Sequence, residues 1–400
     1  MPEYETVSYV GGDASLRGAI QLNGHFIDVP ISSADALRRM RPSTGRDRVV
    51  WIDAICINQA DLVERAQQVS IMYEVFSNTW RNLIWLGPDD GCTTSAVESV
   101  EAIVKEMEVG TTSYANVFST FWRPDGTFRL SDTGILAAID VDAISRFFAS
   151  PWWLRLWVVQ EASLAPQSVC IRGNSIVALE LPLRAAQWMF HRSLHIGGTR
   201  EGLQGIKHAA SIADFADHKT GWFGPRNNYA CASNATFLDL LRHFRSFVTD
   251  DPRDHVYGLL GLYKRFSSDL TLPEGLSPDY TQDVGEVLRD ATSFIISTQK
   301  DLGVLNHISY VIDDWRRHSI PTWTPRFDLA LDFGYSFSFS EEPVRFAEEF
   351  HADGNIDANE RPIEVVNDTL MTLGSSSVLL WSDLKQCRLN CLRWLRFWTT

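Results

Sequence analysis

Apolar runs broken by isolated polar residues give the first part of the chain its most regular pattern. Residues 49–57 read VVWIDAICI, and such a nearly continuous apolar run predicts a strand buried on both faces, as in a parallel sheet. Asp53 is the polar residue that interrupts the run. Residues 83–86 form a second short apolar run, which the following Gly87-Pro88 pair ends. Two buried strands are therefore predicted here.

The stretch between these strands has the pattern of an amphipathic helix. Apolar residues recur at helical spacing over residues 62–76, so one face of the helix would pack on the sheet. Asp61 stands at the helix start and Glu64 follows three residues later, which is the spacing of a capping box. Strand, helix and strand together predict a βαβ unit and an α/β fold.

The same reasoning extends the prediction along the chain. A strand is predicted over residues 4–10, and a hairpin over residues 19–29 with Asn23-Gly24 at its turn. Residues 151–165, which are rich in tryptophan and begin with proline, predict one continuous helix. Residues 168–171 predict a further short strand. Strands of the sheet are therefore predicted both before and after this helix in the sequence.

The length of the chain, 400 residues, indicates more than one domain. We predict that residues 1–175 form an α/β domain with a mostly parallel sheet flanked by helices. Residues 176–330 are predicted to form a helical extension, and residues 331–400 a small β-rich module. Residues 110–135 are rich in Gly, Thr, Ser and Pro, which predicts an insertion or a long loop.

The charge and hydropathy of the chain limit which partners and which cellular location we expect for it. The net charge of −14 argues against general nucleic-acid binding, which needs a basic face. No apolar run is long enough for a transmembrane segment, and the N-terminus lacks a secretory pattern, so we expect a cytoplasmic protein. The segment 384–398 is basic and aromatic and is a weak candidate for contact with a membrane surface. A packed terminal helix or a misplaced gene end are the favoured alternatives for it.

The six cysteines are scattered, as expected for a reduced protein. Cys387 and Cys391 are four residues apart, but no pair of histidines lies near them at metal-ligand spacing, so we expect no metal site. The sequence contains no G-x-S-x-G elbow, no Walker A loop and no Rossmann glycine spacing. These absences argue against serine hydrolase, nucleotide triphosphatase and redox dinucleotide chemistry.

Three segments resemble the signature motifs of the heterokaryon incompatibility (HET) domain of filamentous fungi. They are YETVSYVGGD near the N-terminus, WIDAICINQ with the following ER, QV and WLG, and PWWLRLWVVQEA. The chain departs from the first motif at Gly11, where the family usually has tryptophan. The resemblance implies a role in fungal nonself recognition and programmed cell death. It also implies self-association or contact with other cell-death signalling proteins.

HET domains are regarded as distant relatives of TIR domains, which have flavodoxin-like sheets and some of which cleave NAD. The resemblance therefore implies a flavodoxin/TIR-like sheet in residues 1–175, and NAD as a candidate substrate with no required cofactor. In those TIR proteins a helix that carries a tryptophan, with a glutamate shortly after it, supplies the catalytic carboxylate. Glu161 stands at the matching position of this chain. The alternative for Glu161 is a solvated or salt-bridged surface residue.

Cleavage of NAD suits a single carboxylate. Nicotinamide in NAD already carries positive charge, so it can leave without a protonating acid, whereas ordinary glycosidases need two carboxyl groups. Backbone N–H groups of the Gly11-Gly12 turn and the side chain of Arg155 could hold the phosphates, and an aromatic ring could stack on a base. The candidate binding residues are Ser8, Tyr9, Gly11, Gly12, Asp13, Asp53, Asn58, Arg155 and Trp157.

Simpler explanations exist for several of these residues. Asp53 and Asn58 are equally suited to holding the turn after the first buried run by hydrogen bonds to the backbone. The function also has two alternatives that need no catalysis. One is a signalling module that only binds partner domains, and the other is an inactive paralogue that has lost the tryptophan of the first motif.

Overall fold

A five-stranded sheet holds the N-terminal part of the chain together. Its strands are β1 (Glu5–Ser8), β4 (Val50–Trp51), β5 (Arg81–Gly87), β6 (Ser168–Arg172) and β7 (Ser175–Ala178). Their spatial order is β4-β1-β5-β6-β7; the first four are parallel and β7 is antiparallel to β6. Counted along the chain within this sheet, the order is 2-1-3-4-5, as in flavodoxin-like folds.

The computed structural model describes most of the chain in separate ranges. They are residues 3–13, 15–42, 47–109, 139–191, 198–216, 235–266, 275–300, 302–308, 320–321, 323–329, 363–366, 369–373 and 378–380. The chain divides into two units. The first comprises Met1–Thr236, Phe247–Asp250 and Gly258–Thr271, and the second comprises Phe237–Ser246, Asp251–Tyr257 and Leu272–Thr400.

Helices make up most of the remaining described structure. In chain order they are α1 (Ile31–Met40), α2 (Asp53–Cys56), α3 (Leu62–Ser70), α4 (Met72–Ser77), α5 (Thr93–Val109), α6 (Val141–Phe148), α7 (Trp157–Leu164), α8 (Glu180–His191), α9 (Arg200–Ala216), α10 (Phe237–His243), α11 (Asp254–Phe266) and α12 (Val284–Gln299). Two 3-10 turns cover Pro151–Leu154 and Gly303–His307. The predicted α/β fold, with a mostly parallel sheet flanked by helices and then a helical region, is confirmed.

Residues from several elements form a core beside the central strands. The buried members are Val7, Tyr9, Ala36, Met40, Ile52, Leu83 and Ile171. A Val, Leu, Ile or Met side chain that is fully buried in this way contributes roughly 1.5–3 kcal/mol. The core brings β1, α1, β5 and β6 together.

Local sequence signals located several elements correctly. The predicted hairpin is present as β2 (Arg17–Leu22) and β3 (His25–Pro30), and Asn23 (φ 50°) and Gly24 (φ 83°) form its left-handed turn. Asp61 caps α3 by accepting hydrogen bonds from the N–H groups of Val63 and Glu64. Both features depend only on neighbouring residues, which explains why the pattern was sufficient.

The strand predicted over residues 49–57 is wrong in its length. Only Val50 and Trp51 are in strand conformation, and α2 begins at Asp53. The Asp53 carboxylate accepts the N–H of Ala54 at 2.7 Å, and the carbonyl of Ile52 accepts the N–H groups of Ile55 and Cys56. A short polar side chain that bonds to its own backbone favours a turn over a strand, and here that effect outweighs the apolar run.

The continuous helix predicted over residues 151–165 is also wrong. A 3-10 turn over Pro151–Leu154 ends at Arg155, whose backbone is extended (φ −80°, ψ 140°), and α7 begins at Trp157. Arg155 forms a parallel β-bridge with Val248. The N–H of Leu156 donates to the Val248 carbonyl at 3.0 Å, and the Val248 N–H donates to the Leu154 carbonyl at 2.7 Å. Tertiary hydrogen bonds therefore break the helix, which local spacing cannot reveal.

Other predictions about the chain lie outside what the structure describes. The insertion predicted at residues 110–135 and the candidate membrane-contact segment 384–398 are outside the described residues. Within 331–400 the structure describes a three-stranded antiparallel sheet of β8 (Ile363–Val366), β9 (Thr369–Leu373) and β10 (Val378–Leu380). The domain limits at 175 and 330 stay predictions.

A buried arginine organises part of the second unit. The guanidinium of Arg245 donates hydrogen bonds to the carbonyls of Leu329 at 2.7 Å and Arg326 at 2.5 Å, and it lies over the ring of Phe327. Burial lowers the pKa of the nearby His255 and of His307 to about 4. This cluster of buried groups is bonded to the backbone, which is the usual arrangement of a structural arginine.

Two glycines at the sheet edge provide a matched test of the packing there. Both have positive φ (Gly91 81°, Gly173 54°), but an added Cβ at Gly173 would lie 2.4 Å from the Asp89 Cβ, whereas at Gly91 it would meet no atom within 4 Å. We expect Gly91→Ala to cost about 1 kcal/mol of unfolding free energy because of its backbone conformation. Gly173→Ala should cost about 1–3 kcal/mol more because of overpacking. Urea denaturation of both variants measures the difference, and equal losses would contradict this packing.

Candidate functional site

Three segments of the chain meet at the carboxyl end of β1. The end of β1 provides Ser8 and Tyr9, the start of α2 provides Asp53, and the segment before and within α7 provides Arg155 and Glu161. β1 lies between β4 and β5, at the point where the strand order reverses. Open α/β sheets bind ligands at such switch points, outside the carboxyl ends of their strands. The position is therefore one where a ligand site is expected.

Glu161 is held by a chain of buried hydrogen bonds. The indole Nε1 of Trp152 donates to Ser8 Oγ at 2.7 Å, and Ser8 Oγ in turn donates to the Glu161 carboxylate. Asn82 Nδ2, on β5, donates to the backbone carbonyl of Glu161 at 3.1 Å. Thr6 Oγ1, on β1, donates to the Asn82 side-chain oxygen at 3.1 Å. Both the carboxylate and the backbone of Glu161 are thus tied to the two central strands.

Burial changes the acidity of Glu161. The residue is 9% exposed, and its burial raises the pKa of the carboxyl group to about 7. The charge of Arg155 and the hydrogen bond from Ser8 lower this pKa, while the charge of Asp53 raises it. Near neutral pH the protonated and ionised forms are therefore both populated. Such a group can act either as a carboxylate or as a proton carrier.

Tyr9 links Asp53 and Arg155. Its side chain is buried next to Asp53, and burial together with the Asp53 charge raises the pKa of the phenol, so it stays protonated. The guanidinium of Arg155 donates to the Tyr9 backbone carbonyl at 2.5 Å. Arg155 is half-buried, and its positive charge acts on both Tyr9 and Glu161. An arginine in this position can contribute an anion-binding group next to the carboxylate.

The glycines of the first motif form a turn just beyond β1. The carbonyl of Gly11 accepts a hydrogen bond from Ser32 Oγ at 2.6 Å. Gly12 has a positive φ of 66°, which favours glycine at that position. Asp13 accepts the N–H and hydroxyl of Ser15 at 2.8 and 2.7 Å, and these bonds lower the pKa of its carboxyl group. Asp13 is therefore occupied with its own turn.

Asn58 and Trp157 have different surroundings. Asn58 is exposed; its N–H donates to the Glu64 carboxylate at 2.9 Å and its side-chain oxygen accepts the Ala60 N–H at 3.3 Å. These contacts agree with the structural alternative for Asn58. Trp157 is half-buried at the start of α7. The structure therefore brings together Ser8, Tyr9, Asp53, Arg155 and Glu161, and it places Asp13 and Asn58 in local turns.

Sequence reasoning missed Trp152 and Asn82. A buried indole needs a hydrogen-bond acceptor, and a buried amide in a central strand needs partners, so both residue types carried a signal. Trp152 and Asn82 are both fully buried. The apolar residues next to each of them in the sequence also indicate burial. Their partner in each case lies in another segment of the chain, which the pattern alone does not identify.

The described ranges of the chain have three further features that bear on its chemistry. No group of three or more His, Cys, Asp or Glu side chains in these ranges is arranged to hold a metal ion. None of the helices that the structure describes combines the length and the apolar character needed to cross a membrane. Cys56 is exposed, and the Cys170 thiol is buried and has a raised pKa because of that burial.

Comparison with known proteins assigns the first part of the chain. Residues 4–161 match the family model described as heterokaryon incompatibility protein (HET). The chain carries a HET domain. Its match begins just before β1 and ends at Glu161, so all five converging residues lie inside it. The resemblance inferred from the three motifs is therefore confirmed.

A curated relative extends the similarity beyond the HET domain. The chain is 25% identical over 312 residues to heterokaryon incompatibility protein 6, OR allele, of Neurospora crassa. The aligned part covers 70% of this chain and 45% of that protein, so the chain spans about half the length of the curated relative it matches. No solved structure matches the chain.

The acidity of Glu161 predicts how the stability of this HET-domain protein varies with pH. The carboxyl pKa rises from 4.5 to about 7 on folding, so the folded state binds the proton more tightly. The contribution of this group to stability is full below about pH 4.5 and is lost as the pH rises through 7. We expect Glu161→Gln, which can still accept the Ser8 hydrogen bond, to be more stable than wild type at pH 8 by up to about 3 kcal/mol.

Urea denaturation from pH 4.5 to 8 measures this effect. The matched control is Glu98→Gln, because Glu98 is an exposed glutamate on α5. The control should follow the wild-type curve throughout. If the unfolding free energies of Glu161→Gln and wild type change with pH in the same way, the pKa of the Glu161 carboxyl group is not raised by burial.

Proposed function

We propose that this HET-domain protein acts in fungal nonself recognition and programmed cell death, and that its HET domain cleaves NAD. The HET match and the similarity to a protein named for heterokaryon incompatibility support the biological role. The observation that carries the enzymatic part is the buried Glu161, bonded to Ser8 at the carboxyl end of the central strand. The charges of Arg155 and Asp53 act on this carboxyl group.

The proposed reaction breaks the bond between nicotinamide and ribose and adds water to the ribose carbon. NAD⁺ and water give ADP-ribose, nicotinamide and one proton. Because the leaving nicotinamide takes the bonding electrons and becomes neutral, no general acid is required. Positive charge develops on the ribose in an oxocarbenium-like transition state. The ionised Glu161 carboxylate stabilises that charge, and the hydrogen bond from Ser8 keeps it in place.

Neighbouring residues suit the rest of the substrate. Arg155 offers a guanidinium for the pyrophosphate, and the backbone after β1 at Gly11 and Gly12 offers N–H groups. Tyr9 is buried, so Trp157, which is half-buried at the start of α7, is the candidate for stacking on a base. In this assignment Tyr9 and Asp53 are positioning residues for the turn that carries the site.

Release of nicotinamide from NAD by the purified full chain tests the enzymatic proposal. We expect Glu161→Gln to reduce the rate by about 100-fold or more, because the amide cannot stabilise positive charge as a carboxylate does. Glu98→Gln should retain the wild-type rate, since Glu98 is exposed on α5. The wild-type rate should rise with pH around 7, as Glu161 ionises. If the rate changes neither in Glu161→Gln nor with pH, Glu161 does not have the proposed catalytic role.

The same assay separates the alternative roles. If no nicotinamide is released at any protein concentration while expression in fungal cells still causes death, the HET domain acts as a non-catalytic signalling module. This outcome would contradict NAD cleavage and leave the cell-death role in place. If expression causes no death and NAD stays intact, the biological proposal is contradicted as well.

Gly11 tests whether the missing tryptophan has inactivated the domain. An added Cβ at Gly11 meets no atom within 4 Å and its φ is not positive, so Gly11→Trp should change the unfolding free energy by about 0.5 kcal/mol or less. We expect wild type to release nicotinamide and Gly11→Trp to lower KM for NAD by adding stacking surface. Gly12→Trp is the control and should destabilise the protein, since Gly12 has φ 66°. A wild type that is inactive and a Gly11→Trp variant that is active would identify an inactive paralogue.

A further inference from the structure

A segment far beyond the HET match packs on the part of the chain that carries Arg155 and Glu161. Residues 247–250 and 258–266, here called the downstream segment, belong to the same unit as the sheet although the family match ends at 161. We propose that the downstream segment is a positioning element of the site, which sets the placement of Arg155 and Glu161. The activity part of this inference rests on the proposed function.

The first contact determines the backbone at Arg155. Val248 makes two backbone hydrogen bonds, one to the N–H of Leu156 at 3.0 Å and one to the carbonyl of Leu154 at 2.7 Å. Arg155 lies between these two residues and is extended for that reason. Without Val248 the propensity of this segment favours continuing the helix, which would rotate the Arg155 side chain. The guanidinium bond to the Tyr9 carbonyl therefore depends on a residue outside the HET match.

The second contact lies directly next to Glu161. Gln160 is buried, and its Nε2 donates to the Gly258 carbonyl at 2.5 Å. Its Oε1 lies over Gly261, where an added Cβ would be only 2.0 Å from that oxygen. At Gly258 an added Cβ would be 3.4 Å from the nearest atom, which is an ordinary contact. The absence of a side chain at Gly261 is thus what lets α11 approach α7 at Gln160.

The third contact holds the end of α7. The last carbonyls of a helix need partners from outside it, and α7 has no basic residue in its own last turn. The guanidinium of Arg265 donates to the Ser163 carbonyl. The neighbouring Lys264 pairs with Glu74 on α4 at 2.5 Å, which holds the same end of α11 to α4.

These contacts bracket the candidate carboxylate. Val248 holds the chain before α7, Gln160 is bonded one residue ahead of Glu161, and Ser163 is bonded two residues after it. A displacement of α7 would change the distance between Glu161 and Ser8, while leaving the residues of the HET motifs intact. The downstream segment therefore acts through Glu161 and contacts no substrate in this proposal.

Gly261→Ala in the full chain tests the inference. We expect it to lower kcat for NAD cleavage by about 10- to 100-fold with little change in KM, because it pushes the Gln160 amide away from Gly258 and so removes the bond that holds α7 next to Glu161. Gly258→Ala is the matched control on the same helix and should retain the wild-type kcat, since its Cβ makes only an ordinary contact. Both changes raise helix propensity by a similar amount, so propensity cannot explain a difference between them.

A second variant keeps the test informative if Gly261→Ala folds poorly. Gln160→Ala removes the same contact from the other side, and we expect a similar loss of kcat. The double variant should be no worse than either single one, because both substitutions break one shared contact. Losses that multiply, or wild-type kcat in Gln160→Ala, would overturn the positioning role.

A readout without NAD separates this inference from the proposed function. Carbon-detected NMR titration of the Glu161 carboxyl group should show a changed midpoint in Gly261→Ala and an unchanged one in Gly258→Ala. If wild type does not cleave NAD but the midpoint moves in this way, the proposed function fails and the positioning role stands. A lowered melting temperature with wild-type midpoint and wild-type kcat would mean that the contact serves stability alone, and the inference would be wrong.

Discussion

The hydrogen bond from Ser8 to the Glu161 carboxylate is the contact on which the candidate site depends. It joins the end of the central strand β1 to helix α7, and it does so inside the protein, where an uncompensated carboxylate would be costly. Trp152 orients the Ser8 hydroxyl by donating to its oxygen, and the single proton of that hydroxyl is donated to Glu161. The carboxylate and the strand thereby have one relative position. Arg155 is held by the carbonyl of Tyr9, the residue after Ser8, and Asp53 is close enough for its charge to act on the Tyr9 phenol.

Polar residues within the central strands extend this constraint through the sheet. Thr6 on β1 bonds to Asn82 on β5, and Asn82 bonds to the backbone of Glu161. Buried polar groups of this kind tolerate few alternative arrangements, because each lost partner leaves a desolvated donor or acceptor. The register of β1 and β5 and the position of α7 are therefore linked. The apolar core beside these strands stabilises the fold. The polar pairs determine the register of the strands and the position of α7.

The difference between what sequence reasoning found and what it missed follows from the range of each interaction. The Asn23-Gly24 turn and the Asp61 cap depend on adjacent residues, and both were predicted correctly. The apolar pattern predicts a longer β4, but the turn that Asp53 makes with its own backbone ends the strand after two residues. It also predicts an unbroken helix, but the bridge from Arg155 to the distant Val248 interrupts it. Only the family resemblance identifies Glu161 as a candidate, because the sequence around it has the pattern of an ordinary helix. Trp152 and Asn82 were missed because their partners, Ser8 and the Glu161 backbone, lie in other segments.

The chemical nature of residue 161 bears on whether the site is catalytic. A glutamine would accept the Ser8 hydrogen bond equally well and would leave the backbone bond to Asn82 unchanged. It would also avoid the loss of stability that a carboxyl group with a pKa of about 7 brings as the pH rises. A purely structural role would therefore be served better by an amide. A buried carboxyl group that lowers stability at neutral pH, beside an arginine at a strand-order switch, is an arrangement that favours the proposed catalytic role. Among the roles considered for this HET domain, only the proposed catalysis uses the negative charge that Glu161 carries when it is ionised.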